Sequence, residues 1–360
     1  MKHAAKLRMG DVASESLEWL WPLRIGLGKL TLLVGDPGLG KSFLTVDLAA
    51  RVSRGAGWPD DRQSFAPQGS VILLNAEDNP SDTIRPRLEA AGADLTRIMT
   101  LCPSDGKGTG IKRQFSLAAN MALLRDALAE IGDCRLLVVD PIAAYTGSAD
   151  MNNNGDMRSL LFPLSELAAE HRVAVVAVSH LIKRHTRKAI HRALGSMAFV
   201  AAARSVWCVA EDPDHTRRRL LLPVKSNLTA EAKGLAFRLE MAPRDRTAHV
   251  AWDWEPVERS IDEVLEANLY RSIRFQKKLV RETGTVRWLR EQLSSGPLSW
   301  GELALRATAV EFSQAQLNRA ARHLNVIKIK TGFREGWTWK LPAVERRTVE
   351  HPRMAAQTHG

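Results

Sequence analysis

The feature that most restricts the fold of this chain is a glycine-rich segment, GDPGLGKS, at residues 35–42. It follows the apolar run at residues 30–34 and precedes a helical pattern that begins at Phe43. A strand, a glycine-rich turn and a helix in this order bind phosphate, because backbone N–H groups and the helix N-terminus converge on the anion. The segment therefore predicts an α/β fold with a nucleotide site.

Each part of this segment has an expected contact with MgATP. The Lys41 ammonium is expected to reach the β- and γ-phosphates, and the Ser42 hydroxyl to bind Mg²⁺. Asp140, which ends the apolar run at residues 135–139, is the expected carboxylate beside that ion. The predicted cofactors are ATP and Mg²⁺, and the residues predicted to bind the nucleotide are Gly35, Asp36, Pro37, Gly38, Leu39, Gly40, Lys41, Ser42 and Phe43.

The base that activates the attacking water is expected on a different strand, because Pro141 rather than an acid follows Asp140. The apolar run at residues 71–74 leads to Glu77 and Asp78. Parallel sheets place ligands at the carboxyl ends of their strands, so Glu77 is the predicted general base. Two alternatives stay open: Glu77 caps the next helix, or Asp78 takes the catalytic role.

A further apolar run, residues 174–178, ends in Ser179 and His180. At that point His180 can contact the γ-phosphate and relay the state of the nucleotide to the following loop. A histidine at a strand end is also often a structural group. Its position leaves both interpretations open.

Short apolar runs alternate with helical patterns from residue 30 to about residue 240. Continuous apolar strands covered by helices on both faces are typical of a parallel sheet. The predicted fold class is therefore α/β with a mainly parallel sheet, and residues 218–224 and 235–240 are expected to form a hairpin at its edge. The predicted parallel strands are residues 30–34, 70–75, 135–139, 174–179 and 205–210.

Residues 285–342 predict a separate small unit. Ser299 and Ser313 each begin a helix, with Glu302 and Gln316 three residues on, and two alternating strands follow. Three helices and a hairpin describe a winged helix. The predicted segments are an N-terminal segment (1–22), an α/β nucleotide-binding core (23–242), a linker with a connecting helix (243–284), a winged-helix domain (285–342) and a disordered tail (343–360).

The net charge of +11 is concentrated towards the C-terminus. Residues 271–360 contain 17 lysines and arginines against 7 aspartates and glutamates, while the rest of the chain is almost neutral. This asymmetry favours a polyanionic partner such as nucleic acid. The alternative is a basic tail that only aids solubility.

The chain shows no sign of a membrane or of an oxidising compartment. No apolar run approaches the roughly 20 residues of a membrane span, and the N-terminal residues lack an apolar signal core. The cysteines, Cys102, Cys134 and Cys208, are far apart and lack metal-ligand spacing. A cytoplasmic protein with reduced, buried cysteines and no membrane partner is predicted.

Several motifs together resemble the RecA-like, AAA-family P-loop ATPases that include the hexameric plasmid replicative helicase RepA. The likeness covers roughly residues 19–240. The motifs are EWLWP (18–22), GDPGLGKS (35–42), NAED (75–78), PRLEAAGAD (86–94), VDP (139–141), SHLIK (179–183), LGSM (194–197) and ARSV (203–206). The resemblance implies a RecA-like core that hydrolyses ATP and assembles into a homo-oligomer, expected to be a hexamer, with the winged helix as an addition.

The resemblance also assigns roles to single residues. In that family a glutamate is catalytic, a strand-end histidine is a sensor, and an arginine crosses the subunit interface to the neighbour's γ-phosphate. The matching positions are Glu77, His180 and Arg204. Lys225, in PVKSN, resembles a second cation that crosses the interface. In the RecA arrangement the strand leading to Glu77 is expected beside the phosphate-loop strand.

Two basic regions are candidates for DNA binding. The segment KRHTRKAIHR at residues 183–192 follows the His180 strand, and in RecA-like rings the corresponding loop faces a channel that holds single-stranded DNA. The alternative is a solvated charged loop. In the winged helix, polar and basic side chains lie off the apolar face of the third helix or on the wing; protein docking is the alternative there. The predicted DNA contacts are Lys183, Arg184, Arg187, Lys188, Arg192, Gln314, Gln316, Arg319, Arg322, Lys328 and Lys330.

Three functions fit these patterns. The first is a ring motor that translocates on DNA or unwinds it, as in the replication of a plasmid, phage or other mobile element. The second is a DNA-binding regulator that ATP switches. The third is a recombinase-like filament or a loader that acts without unwinding.

Overall fold

The structure is a computed structural model that describes residues 8–101, 115–147, 149, 153–181, 197–230, 232–241, 247–330 and 336–342. For residues 197–199 and 274–283 it describes the backbone only. The chain forms two compact units, Met1–Leu269 and Tyr270–Gly360.

Strands dominate the first unit and helices the second. The strands are β1 (Trp19–Trp21), β2 (Ile25–Gly26), β3 (Leu30–Gly35), β4 (Gly57–Trp58), β5 (Asp61–Phe65), β6 (Ser70–Asn75), β7 (Ile98–Met99), β8 (Cys134–Asp140), β9 (Ala174–His180), β10 (Ser205–Glu211), β11 (Arg219–Ser226), β12 (Gly234–Met241), β13 (Ala248–Val257), β14 (Leu298–Ser299), β15 (Ile327–Lys330) and β16 (Trp337–Lys340). The α-helices are α1 (Lys41–Arg54), α2 (Arg85–Ala90), α3 (Leu117–Ile131), α4 (Asn154–Glu170), α5 (Met197–Ala202), α6 (Ile261–Ser294), α7 (Trp300–Ala309) and α8 (Gln314–His323).

One nine-stranded sheet forms the centre of the first unit, in the order β13-β12-β11-β10-β3-β9-β8-β6-β7. The strands from β10 to β7 are parallel to their neighbours, and β11, β12 and β13 are antiparallel. Apolar side chains fill both faces of the parallel part, because successive residues of a strand point to opposite faces. Leu32 belongs to one buried cluster and Leu33 to the other. The predicted α/β fold with a mostly parallel, RecA-like P-loop core is confirmed.

The strand order corrects one prediction about the site. Strands β9 and β8 lie between β3 and β6, so the strand that leads to Glu77 is not beside the phosphate-loop strand. Local sequence defines each strand, but strand order depends on where the crossover helices pack, which the residues of β6 do not encode. Glu77 therefore approaches the site across the end of β8.

The structure also differs from the predicted linker at residues 243–284. Strand β13 pairs with β12, so β11 and β12 form the predicted hairpin but do not end the sheet. The side chain of Trp252 explains why this stretch is ordered. It contacts the rings of Trp21 and Phe237, and its indole N–H donates to Asp47 Oδ2 at 2.9 Å. Trp21 and Asp47 are distant in sequence from Trp252, so tertiary contacts stabilise this strand.

Helix α6 is a single helix of 34 residues where two were expected, a connecting helix and the first helix of the C-terminal unit. No proline interrupts residues 261–294, and the helix ends two residues before Gly296, as predicted.

The second unit contains helices α7 and α8 and a three-stranded antiparallel sheet in the order β14-β16-β15. Its core includes Leu289, Leu303, Leu317 and Trp339. The side chains of Ser299 and Ser313 cap their helices as predicted, and Ser313 and Gln316 form a complete capping box. The predicted order of helices and hairpin is therefore present.

Candidate nucleotide-binding site

The phosphate loop, residues 35–42, joins β3 to α1 at the carboxyl edge of the sheet, where the parallel strands end. Gly40 precedes α1 with a φ of 87°, a left-handed conformation that favours glycine. A Cβ atom at Gly35 would lie 2.6 Å from the carbonyl oxygen of Val209, which is too close for any other residue. The backbone can therefore take this tight turn only with glycine at these positions.

Lys41 is buried at the start of α1, and its ammonium is held by the loop itself. Its Nζ donates to the carbonyl oxygens of Gly35 at 2.9 Å and Asp36 at 2.8 Å. Burial lowers the pKa of Lys41, and the nearby carboxylate of Asp140 opposes that shift. A cation that is desolvated by its surroundings interacts strongly with an anion, which suits a phosphate contact.

Ser42 and Asp140 meet beside Lys41. The Asp140 carboxylate at the end of β8 is buried, and its side chain is hydrogen-bonded to that of Ser42. Burial raises the pKa of Asp140, and the hydrogen bond from Ser42 acts in the opposite direction. A hydroxyl and a carboxylate are hard oxygen donors of the kind that Mg²⁺ takes, with water and phosphate completing the shell. These two residues fit the predicted metal.

Among the described residues there is no group of three or more His, Cys, Asp and Glu that could hold a metal ion. The two-ligand arrangement of Ser42 and Asp140 does not depend on such a group, because Mg²⁺ usually binds one or two protein ligands plus the phosphates of its substrate.

Glu77 and Asp78 follow β6 in a turn that Asn75 organises. The backbone N–H groups of Glu77 and Asp78 donate to Asn75 Oδ1, at 3.1 Å and 2.8 Å. The signal for this turn was present in the sequence, since asparagine at a strand end commonly hydrogen-bonds to the backbone two residues on. The Asn75 turn fixes the direction in which both acids leave the strand.

The two acids have different surroundings. Asp78 forms an ion pair with Arg87 at 2.7 Å, and the Arg87 guanidinium lies 4.5 Å from the centre of the Phe43 ring. Glu77 is exposed and has no ion pair within the described part of the chain. Its charge nevertheless reaches the site, because it acts on the pKa values of Lys41 and Asp140. Glu77 is thus available to a water molecule, whereas Asp78 already has a partner.

His180 is the last residue of β9 and stands opposite Gly35 of β3. Burial and the Lys41 charge lower its pKa, so the imidazole is neutral at pH 7. The ring hydrogen-bonds to the backbone of Gly35, while its Nδ1 is buried without a partner among the described residues. His180 therefore lies against the phosphate loop with one ring nitrogen unsatisfied.

Arg204 and Lys225 lie at the other end of the sheet, its amino edge, where the parallel strands begin. Arg204 precedes β10, and its backbone N–H donates to the carbonyl oxygen of Leu30 at the start of β3. Val209 of β10 stands opposite Gly35, so five residues, or about 16 Å of strand, separate Arg204 from the phosphate loop. This distance exceeds the reach of an arginine side chain.

Lys225 is a neighbour of Arg204. Its Nζ donates to the carbonyl oxygens of Val200 at 2.7 Å and Ala203 at 3.0 Å. Burial lowers the pKa of Lys225, and the charge of Arg204 adds to that effect. The structure therefore brings together Lys41, Ser42, Glu77, Asp140 and His180, and separates them from Arg204 and Lys225.

Of the predicted DNA contacts, Lys183, Arg184, Arg187, Lys188 and Arg192 lie outside the described residues. In the C-terminal unit Gln314, Arg319, Arg322, Lys328 and Lys330 are exposed. Gln316 is not available for DNA. It is 8% exposed, and its Oε1 accepts the backbone N–H of Ser313 at 2.9 Å, because the capping box uses this side chain to cap the start of the helix.

The side chain of Lys328 on β15 is hydrogen-bonded to helix α8. Its Nζ donates to Asn318 Oδ1 at 2.9 Å and lies 4.0 Å from the centre of the Trp339 ring. Burial lowers the pKa of Lys328, and the Arg322 charge lowers it further. The basic side chain of Lys328 on β15 therefore lies beside the polar side chain of Asn318 on α8.

A strand, a glycine loop with a buried lysine, and a serine hydrogen-bonded to a strand-end aspartate define a RecA-like P-loop ATPase. The AAA domain family AAA_25 matches residues 5–186, which is just over half of the chain. The chain belongs to this family. The matched part includes Lys41, Glu77, Asp140 and His180.

No curated protein matches the chain. Among solved structures, the KaiC-like protein PH0186 from the hyperthermophilic archaeon Pyrococcus horikoshii OT3 is similar, at 16% identity and a TM-score of 0.44, over 63% of this chain and 91% of that one. No helix among the described residues is both long and apolar enough to cross a membrane.

Proposed function

We propose that this protein is a DNA-binding ring ATPase that acts as a replicative helicase or translocase of a plasmid, phage or other mobile element. The observation that carries the proposal is the separation of Arg204 from the phosphate loop of its own chain. An arginine that completes charge stabilisation only from a neighbouring subunit couples ATP hydrolysis to assembly.

The carboxyl edge has the groups that ATP hydrolysis needs. Lys41 would contact the β- and γ-phosphates, and Ser42 and Asp140 would hold Mg²⁺, which would neutralise charge on those phosphates. Glu77 accepts a proton from water as the water oxygen bonds to the γ-phosphorus, and the bond from that phosphorus to the β–γ bridging oxygen breaks. ADP and inorganic phosphate leave.

His180 reports whether the γ-phosphate is present. Its neutral ring and unsatisfied Nδ1 stand beside Gly35, within the turn that surrounds the phosphates. A hydrogen bond that forms when ATP binds and breaks when phosphate leaves would move the segment after β9, which contains the basic residues 183–192.

The oligomer follows from the position of Arg204 and Lys225. A head-to-tail contact, in which one edge of a subunit meets a different surface of the next, closes into a ring or continues as a filament. We propose the ring, a hexamer, in which Arg204 and Lys225 of each subunit face the nucleotide of the next.

DNA binding is supported by charge and by the C-terminal unit. The helices and three-stranded sheet of that unit fit a winged helix, with Gln314, Arg319 and Arg322 exposed on α8 and Lys328 and Lys330 on β15. Together with the basic segment 183–192, these residues provide phosphate contacts for single-stranded and duplex DNA. Reduced buried cysteines such as Cys134 and Cys208 accord with a cytoplasmic site of action.

A second candidate is a DNA-binding regulator whose assembly ATP switches. The exposed polar face of α8 favours it, because Gln, Asn and Arg on a recognition helix read base edges in duplex DNA. A recombinase-like filament or a loader shares the ATPase core and differs in not unwinding DNA.

The test is steady-state ATP hydrolysis with and without single-stranded DNA, with Lys41→Ala as the blank. The proposal predicts hydrolysis that single-stranded DNA stimulates severalfold and that the blank lacks. Hydrolysis that is indifferent to single strands would contradict the motor and favour the regulator. No hydrolysis above the blank under any condition would overturn the assignment as an ATPase.

A further inference from the structure

Strands β15 and β16 of the C-terminal unit place two lysines and two tryptophans on one face of their sheet. In this antiparallel pair Lys328 stands opposite Trp339, and Lys330 stands opposite Trp337. Opposite residues of an antiparallel pair point to the same side of the sheet, and so do residues two apart in one strand. These four side chains therefore form one surface, the wing face.

The two tryptophans of the wing face differ in exposure. Trp339 is 3% exposed and packs against Trp300, with 4.9 Å between the ring centres. Trp337 is 48% exposed and has no ring partner among the described residues. A large indole ring beside Lys330 is therefore available to a planar partner from outside the chain.

The elements around Trp337 are basic. Helix α8 and strands β15 and β16 together contain five lysines and arginines and no aspartate or glutamate. The acids between residues 285 and 342 are Glu291, Glu302, Glu311 and Glu335. Of these, Glu302 pairs with Arg306 at 2.6 Å, and Glu335 lies outside the described residues. The charge of the three elements that form this surface favours an anionic partner.

An exposed aromatic ring among lysines favours nucleic acid over a protein partner. Lysine is depleted in protein–protein interfaces. Proteins that hold single-stranded nucleic acid instead combine cations, which follow the phosphates, with aromatic rings on which the bases stack. The bases inside an intact duplex already stack on one another, so Trp337 would need a base that is unpaired.

We propose that Trp337 stacks on an unpaired base of DNA while Lys328 and Lys330 contact the flanking phosphates. The exposed polar residues of α8 contact the adjoining duplex, so the C-terminal unit prefers the junction between a single strand and a duplex. This inference rests on the proposed DNA binding and specifies the form of DNA that the unit takes.

The experiment measures the binding of the full chain to three fluorescently labelled DNAs by anisotropy. The DNAs are a blunt duplex, the same duplex with a single-stranded overhang, and a third in which the overhang is abasic. An abasic overhang keeps the phosphates but has no base to stack. One stacked base contributes about fivefold or more in affinity, so the wild type should prefer the base-bearing overhang to the abasic one by that factor.

The test variants separate the ring of Trp337 from its bulk. Trp337→Leu keeps a large apolar side chain without a ring, and Trp337→Phe keeps a ring. Trp254→Leu is the matched control, because Trp254 lies on β13 of the first unit and is 56% exposed. Ile329→Ala controls for the strand itself, because Ile329 is a neighbour of Lys330 on β15 and points to the opposite face. Circular dichroism shows whether each variant is folded.

The inference predicts that Trp337→Leu loses most of the preference for the base-bearing overhang. Trp337→Phe should keep part of that preference, and both controls should keep all of it. A Trp337→Leu variant that keeps the full preference would overturn the inference, and so would an equal loss of affinity for all three DNAs, because stacking requires a base.

The same measurements separate this inference from the proposed function. A wild type that binds DNA but does not distinguish the two overhangs would overturn the stacking contact and leave the proposed DNA binding standing. A wild type that binds none of the three DNAs would overturn the proposed DNA binding and this inference together.

Discussion

The two edges of the central sheet differ in the charges that they present. At the carboxyl edge a buried lysine, Lys41, stands among the carboxylates of Asp36, Glu77 and Asp140, whose charges oppose the lowering of its pKa by burial. At the amino edge Lys29, Arg158 and Arg204 line one cavity without an acid among its lining residues. The carboxyl edge combines charges of both signs, whereas the charged residues that line the amino-edge cavity are all basic.

In the proposed ring, this difference makes the ATPase site of one subunit half of a larger site. The carboxyl edge has the groups that the proposed mechanism assigns to MgATP and to the attacking water, but among its described residues there is no cation free to stabilise the charge that would develop on the γ-phosphate. Lys41 is the cation present, and it also donates to the loop carbonyls. In the proposed ring, the amino edge of the neighbouring subunit supplies the further cations, Arg204 and Lys225.

The largest effect is expected for Arg204→Ala. An arginine that completes the site of a P-loop NTPase is worth about 10³–10⁵-fold in turnover, and a loss of that order is expected here. Nucleotide binding should be unchanged, because Arg204 is remote from its own phosphate loop. Hydrolysis rates and fluorescent-nucleotide binding on the same preparation check both parts. A comparable loss of nucleotide affinity would contradict the separation of the two edges.

A smaller loss is expected for Glu77→Gln. Removal of a general base lowers the rate by about 10²–10⁴-fold, while MgATP binding is retained. Asp78→Asn is the matched control at the next residue, where the carboxylate is paired with Arg87. If Asp78→Asn were the more damaging change to turnover, the roles of these two acids would have to be exchanged.

Substitutions at the two edges are expected to change the thermal stability of the protein differently. Burial raises the pKa of Asp140, so the carboxylate stabilises the fold only when protonated and costs stability at pH values above its ordinary 3.8. Asp140→Asn should therefore raise the Tm of the nucleotide-free protein by about 2–4 °C, while Mg²⁺-dependent hydrolysis is lost. Arg204→Ala, an exposed position, should leave the Tm unchanged. Thermal denaturation followed by circular dichroism at pH 7 measures both.

The smallest effect is a pH dependence of stability near neutral pH, which His180 gives to the carboxyl edge. Burial and Lys41 lower the pKa of His180 below 6.5, so the unfolded chain takes up this proton first as the pH falls. The contribution to stability is complete above pH 6.5 and decreases below it. In His180→Gln the urea midpoint should fall less between pH 7 and pH 5 than in the wild type. Equal slopes would show that His180 is not desolvated as described.

The sequence alone was sufficient to predict those features of the fold and site that depend on residues close together in the chain. The glycine loop, Lys41, Ser42 and the strand that ends in Asp140 are contiguous patterns, and the structure places all of them at one edge. The capping residues Ser313 and Gln316 were equally visible, yet Gln316 was also assigned to DNA, from its position off the apolar face of the helix, and this was wrong because capping buries it. A side chain that hydrogen-bonds to the backbone at the start of a helix is not available to hydrogen-bond to DNA as well.

Features that depend on packing were not predictable from the residues involved. The linker prediction for β13 was wrong because the anchor of this strand, Trp252, contacts partners that lie about 200 residues earlier in the chain, at Trp21 and Asp47. The position of β6 was missed because crossover connections set strand order. Arg158 and Phe162 have no motif, and only the fold brings them to Arg204.

The most direct test of a site shared between two subunits is to mix two inactive variants, Lys41→Ala and Arg204→Ala. The first keeps Arg204 but lacks the phosphate-loop lysine, and the second keeps an intact phosphate loop but lacks the arginine. In a random mixture about a quarter of head-to-tail interfaces would combine an intact loop with an intact arginine. The account predicts that ATP hydrolysis reappears on mixing. A mixture that is no more active than its two components, although it assembles, would show that the site is not shared.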